Sequence, residues 1–168
     1  AEREAARQVA VLAERSYTEL SRLFERSLAR RHSIVLYPTG SRYRAEVTAG
    51  GMLSAGSGGV TRGEHAAIAM PIGASLAETE HVVAHKLVHA FQFDLARAGN
   101  GGILAMPLWF IEGMAEYLTL GPDHPQTLMW MRDLARRDEM PGLKEIAHPK
   151  YFPYRYGHGV WRFLAGRF

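Results

Sequence analysis

Ser75-Leu-Ala-Glu78-Thr-Glu-His81-Val-Val-Ala-His85-Lys86-Leu-Val-His89-Ala-Phe-Gln-Phe-Asp94 is the stretch that decides the reading of this chain. Ser75 followed three residues later by Glu78 is a capping box, in which each side chain can satisfy an amide left open by the first turn. It predicts a helix from Leu76 to about Ala98, closed by Gly99-Asn100-Gly101-Gly102. At 100° per residue, His85 and His89 project about 40° apart and one turn, about 6 Å, along the axis. Two imidazoles so placed can converge on one ion with bonds of about 2.0–2.1 Å. An isolated pair of this kind is weak evidence in a chain with eight histidines. His81 extends the stripe by one more turn, as an alternative ligand, as a group behind a ligand, or as a packing histidine.

Outward from this helix, Val9, Leu12, Ala13, Tyr17, Leu20, Phe24 and Leu28 recur at helical spacing, predicting an amphipathic helix from about Ala5 to Arg30. Ser33 to Tyr37 reads as a short strand ended by the Pro38-Thr39-Gly40 turn. The Gly- and Ser-rich run from Ala49 to Gly63 reads as a surface loop. Ala66 to Met70 reads as a strand stopped by Pro71, and a proline there suits an edge. Further helices are expected at Leu108 to Leu120, at Gln126 to Arg137, and from Tyr156 to the end. The sum is α+β: a small early sheet with an edge strand, packed on the histidine helix and a helical C-terminal half.

The length, 168 residues, suits one domain. The run stops at Gly166-Arg167-Phe168 inside a helical pattern, the expectation for a piece cut from a longer chain. No apolar stretch approaches the roughly 20 residues needed to span a bilayer, so no membrane insertion is expected. The first residues carry no apolar core of a signal peptide. There is no Cys, which excludes thiolate metal sites and Cys nucleophiles. A net charge of +3, scattered along the chain, gives no reason to expect nucleic acid. Of the 20 basic residues 17 are Arg, and the three Lys are Lys86, Lys144 and Lys150.

The next helix changes the weight of the histidine pair. Leu108-Trp109-Phe110-Ile111-Glu112-Gly113-Met114-Ala115-Glu116-Tyr117 places Glu112 on an otherwise apolar segment, where a carboxylate is costly unless paired or metal-bound. Glu112 with His85 and His89 makes a His₂Glu set with one coordination position left over, the arrangement of catalytic zinc. Glu116 shares the Glu112 face, and Gly113 is expected to let the histidine helix and this one approach closely.

The His-x-x-x-His helix, the 22-residue gap and the Trp-x-x-Glu-Gly-x-Ala-Glu-Tyr helix together resemble the gluzincin clan of zinc metallopeptidases. The likeness is nearest to bacterial peptidase MA-like domains and more distant to zinc aminopeptidases, and it covers roughly Ile68 to Phe168. It implies that His85, His89 and Glu112 bind Zn²⁺ and that Glu116 orients a ligand imidazole, with His85 as the expected partner. Tyr154-Arg155-Tyr156-Gly157 resembles the Tyr-x-x-Gly segment whose phenol steadies the tetrahedral oxyanion; Tyr154 fits by register, with Tyr156 and His158 as rivals and simple aromatic packing as the alternative. The resemblance also implies strand addition of a peptide or protein substrate along Ala67, Ile68 and Ala69, a periplasmic or extracellular setting, and a β-propeller following the domain.

One departure bears on activity. The family carries Glu directly after the first His, where it takes a proton from the attacking water and hands it to the leaving amine. Here that residue is Lys86. An ammonium has no lone pair to offer, and it repels a nearby cation. The expectation is a peptidase fold that is inactive or strongly impaired, either as a substituted enzyme or as a pseudopeptidase that binds peptide or protein. Met129, Trp130 and Met131 read as core.

Overall fold

The apolar stripe expected in the N-terminal segment buries one side of α1 (Glu2–Leu23), through Val9, Leu12, Ala13, Ser16 and Leu20. This computed structural model describes residues 2–49, 58–73, 75–99 and 101–168. The chain divides into two compact units, Ala1–Asp94 and Leu95–Phe168. The elements after α1 are β1 (Ser33–Tyr37), α2 (Gly40–Ala49), β2 (Val60–Arg62), β3 (Ala67–Pro71), α3 (Leu76–Arg97), α4 (Leu108–Leu120), α5 (Pro125–Arg137) and α6 (Pro153–Arg167), with short 3₁₀ turns at Gly101–Ala105 and Glu145–Ala147. The α+β class holds.

In the first unit α1 ends seven residues before the expected Arg30. Glu25 takes a positive φ of 50°, which turns the chain out of the helix. Phe24 then stacks on Phe91 of α3 with ring centroids 5.0 Å apart. Asp94 accepts from Arg26 at 2.8 Å and from the Ala29 amide at 3.3 Å. These contacts with one buried carboxylate outweigh the helical periodicity of residues 24–30. The Pro38-Thr39-Gly40 turn opens a helix absent from the sequence reading: the Thr39 hydroxyl accepts the Arg42 amide at 3.2 Å, an N-cap for α2. Tyr43 and Val47, one turn apart, pack with Ala69, Tyr37 and Val60. Of the Gly- and Ser-rich run, residues 50–57 lie outside the described residues, and its far end carries β2.

The sheet corrects the edge-strand expectation. Its order is β1-β3-β2, with β1 parallel and β2 antiparallel to β3. Ala67, Ile68 and Ala69 pair with Ser33, Ile34 and Val35 on one side and with Arg62, Thr61 and Val60 on the other. Ile68, Ala69 and Met70 are buried. Pro71 sits at the last residue of the strand, where the missing amide costs little, so it marks an end and not an edge. A peptide cannot add to a strand whose two sides are taken. Among the described residues the sheet's edges are β1 and β2.

The second unit is helical, and its closest crossing depends on glycine. A Cβ on Gly113 would stand 2.5 Å from Gly157 Cα and 2.6 Å from Gly157 O; one on Gly157 would overlap the Trp109 carbonyl oxygen. Gly113 therefore serves the approach of α4 to α6. The Trp161 indole N–H donates to Phe110 O at 2.8 Å and locks the same pair of helices. Pro125 and Pro153 stand in the first turns of α5 and α6, where their missing amides and fixed φ are tolerated. Hence α6 starts three residues ahead of the expected Tyr156.

Gly157→Ala is expected to cost about 3 kcal/mol or more, because backbone and not a flexible side chain must move. Urea denaturation checks this; a loss under about 0.5 kcal/mol would contradict the backbone contact.

Candidate metal centre

The Ser75 hydroxyl accepts the Glu78 amide at 3.1 Å, so α3 begins as its capping signal predicts. His81, His85 and His89 follow on one stripe, with ring centroids 5.6 Å and 4.8 Å apart in succession and the rings set edge to face. His85 and His89 are buried, and His81 is half-buried. Burial of imidazoles beside Leu87, Val88, Ala90 and Phe91 is costly without polar partners. His89 has one on its own helix: Nδ1 lies 2.7 Å from Oε1 of Gln92.

A ring nitrogen from each of His85 and His89 and a carboxylate oxygen of Glu112 lie within 4.8 Å of one another. His81, His85 and Glu116 satisfy the same condition. Donors of a four-coordinate ion at about 2.0–2.1 Å stand about 3.4 Å apart, within reach of that spacing. Two imidazoles and a carboxylate fit Zn²⁺, and imidazole equally suits Cu, Fe or Ni, so the donor set defines a divalent-metal position and not one element. The groups share His85, making its position common to both.

Lys86 is buried, at 7 % exposure, beside this stripe. Its backbone carbonyl accepts the Thr61 hydroxyl at 2.9 Å, tying β2 to α3. A Cβ at Gly59 would come within 3.3 Å of Lys86 Cε, so the lysine stem packs beneath the chain entering β2. Glu116, expected behind His85, is buried and accepts Arg155 Nη1 at 2.6 Å. Arg155 is a residue the sequence reading passed over, although a basic residue two positions before Gly157 was visible as a partner for a buried glutamate on α4.

The three rivals for an oxyanion donor have different surroundings. His158 is fully buried; its Nε2–H donates to Gly121 O at 2.9 Å and its Nδ1 accepts the Thr127 hydroxyl at 3.1 Å. It joins α6 to the end of α4 and the start of α5, with the rings of Tyr117 and His124 beside it. Burial lowers its pKa, against the opposing pull of the Gly121 carbonyl. Tyr156 packs edge-on to Tyr151 and Trp130, and burial, then Tyr151, raises its phenol. Tyr154 is half-buried with its ring 5.0 Å from that of Phe152. Trp130 is not core as expected. With Leu128, Met129 and Tyr156 it lines an open groove of about 820 Å³, and Met129 is exposed.

Among the described residues no helix is long and apolar enough to cross a membrane. No protein-family model, curated protein or solved structure matches the chain.

Since the folded pKa of His158 lies below its ordinary value near 6.5, the unfolded chain takes up this proton first. The stability that neutral His158 supplies is full above about pH 6.5 and is lost as pH falls through the folded value. His158→Gln is expected to destabilise the protein most at about pH 8, with the gap to wild type narrowing by about pH 5. Denaturation curves at the two pH values check this; a constant gap would contradict it.

Proposed function

We propose that the chain is a gluzincin-type metallopeptidase domain, its Zn²⁺ held by His85, His89 and Glu112, with peptide-bond hydrolysis suppressed by Lys86. The observation that carries this reading is the mutual approach, within 4.8 Å, of two imidazole nitrogens and a carboxylate oxygen from those three residues. Zinc, when bound, supplies Lewis acidity that polarises the scissile carbonyl and favours deprotonation of the attacking water.

The chain's own residues account for the rest. His85 and His89 present neutral nitrogens, and Glu112 supplies a compensating negative charge. Glu116, neutralised by Arg155, keeps a carboxylate oxygen near His81 and His85 to orient an imidazole. Tyr154 is the favoured oxyanion donor by its register in the Tyr-x-x-Gly segment, and His158 has both ring nitrogens engaged. With β3 central, an extended peptide belongs on the outer edge of β2, which the Thr61–Lys86 hydrogen bond fastens to α3. Lys86 stands where the proton shuttle is needed and offers only donors while charged. Losing such a shuttle typically costs about 10²–10⁴ in rate.

A second reading draws on the burial of Lys86: a pseudopeptidase that binds peptide or protein without cleaving it. The likeness to peptidase MA-like domains is what supports a periplasmic or extracellular setting and an adjoining β-propeller.

Calorimetric zinc titration is expected to give one ion per chain, with a loss of affinity in His89→Ala at or above the upper end of the roughly 10–100-fold typical when only a ligand's supporting partner is removed. Lys86→Glu, zinc-loaded, is expected to raise cleavage of a broad peptide library by about 10²–10⁴. No zinc uptake would sink the metallopeptidase reading. Uptake without cleavage by Lys86→Glu would leave the binding module.

A further inference from the structure

Gln92 is 1 % exposed on a helix whose neighbouring positions are apolar. Helical side chains lean toward the N-terminus, so a residue at i+3 reaches back over the turn that carries residue i. Gln92 does so, and its Oε1 meets His89 Nδ1 at 2.7 Å, a short contact between two buried groups. An amide oxygen can only accept, so the proton of this bond resides on Nδ1. A neutral imidazole carries one N–H, and with Nδ1 protonated the lone pair is left on Nε2.

We propose that Gln92 is a positioning residue that fixes His89 as the Nδ1–H tautomer, so that Nε2 is held ready, and turned in the right direction, to ligate a metal ion. The assignment of Nε2 as a ligand atom rests on the metal reading above; the tautomer does not. A glutamine is suited to the task because it leaves no net charge behind the ring, whereas a carboxylate would make the imidazole more basic. A histidine serving only to fill space has no need of a particular tautomer.

The test begins with the metal-free wild-type chain at mildly alkaline pH. Long-range ¹H–¹⁵N correlation across the imidazole reports which nitrogen of His89 carries the proton. The expected result is Nδ1–H, held in the absence of any metal. Gln92→Met preserves volume and removes the acceptor; the Nε2–H form should then become populated and zinc affinity should fall about 10–100-fold. Gln92→Glu retains an oxygen acceptor and should restore both the tautomer and most of the affinity. Nε2–H on His89 in the wild type would overturn the proposal without recourse to any variant, as would an unchanged tautomer in folded Gln92→Met. Nδ1–H in the wild type that is lost in Gln92→Met, in a chain that takes up no zinc, would leave Gln92 in its role and remove the metal reading instead.

Discussion

Six polar or charged side chains of one helix are buried: Thr79, His85, Lys86, His89, Gln92 and Asp94 on α3. Each costs free energy unless it finds a partner, and the partners they find organise the rest of the first unit. Thr79 bonds the Ser75 carbonyl and the Gly73 amide, closing the segment between β3 and α3. Asp94 gathers Arg26 and Ala29 and so ends α1 early. Gln92 and His89 satisfy each other. A helix built only to fill a core would carry leucines at such positions; here polar partners on several sides of α3 set how the segments around it turn.

The glutamates of α4 face the same demand and meet it differently. Glu116 is matched by Arg155, a buried pair whose separation would leave a charge stranded; such breakage typically costs about 3–5 kcal/mol. Its position is stiffened by a backbone crossing that only Gly113 and Gly157 permit, and by His158, which ties α6 to two other segments. The second unit thus reads as a rigid mount for two carboxylates. Rigidity matters because coordinating atoms must be held in place before the ion arrives.

Much of this was legible in the residues. Period 3.6 and the Ser75 cap located α3 to within a residue at each end, and the His85, His89 and Glu112 grouping followed from spacing and from the anomaly of a carboxylate among apolar neighbours. What escaped was decided by tertiary contact. Residues 24–30 keep helical periodicity, yet Asp94, some 65 positions away in sequence, draws them into a turn. Pro71 suggested an edge, because a proline at a strand's last residue looks the same in sequence as one on an outer strand. Gly113 announced a close approach, and the contact with Gly157 on α6 carries no sequence signal of its own. Gln92 was readable only once its partner was known, since it belongs to no motif, while Arg155 stood at an unspecified position of the Tyr-x-x-Gly segment.

Lys86 is where the chain departs from the proposed reading's parent chemistry: the groups that could hold a metal ion stand together, and a lysine occupies the position of the proton shuttle. The most direct test of the central claim is zinc K-edge X-ray absorption on the zinc-loaded chain. The account predicts two imidazole nitrogens and carboxylate oxygen at about 2.0–2.1 Å, with one imidazole signature lost in His89→Ala. A spectrum of zinc bound by solvent and scattered carboxylates, unchanged by His89→Ala, would contradict it.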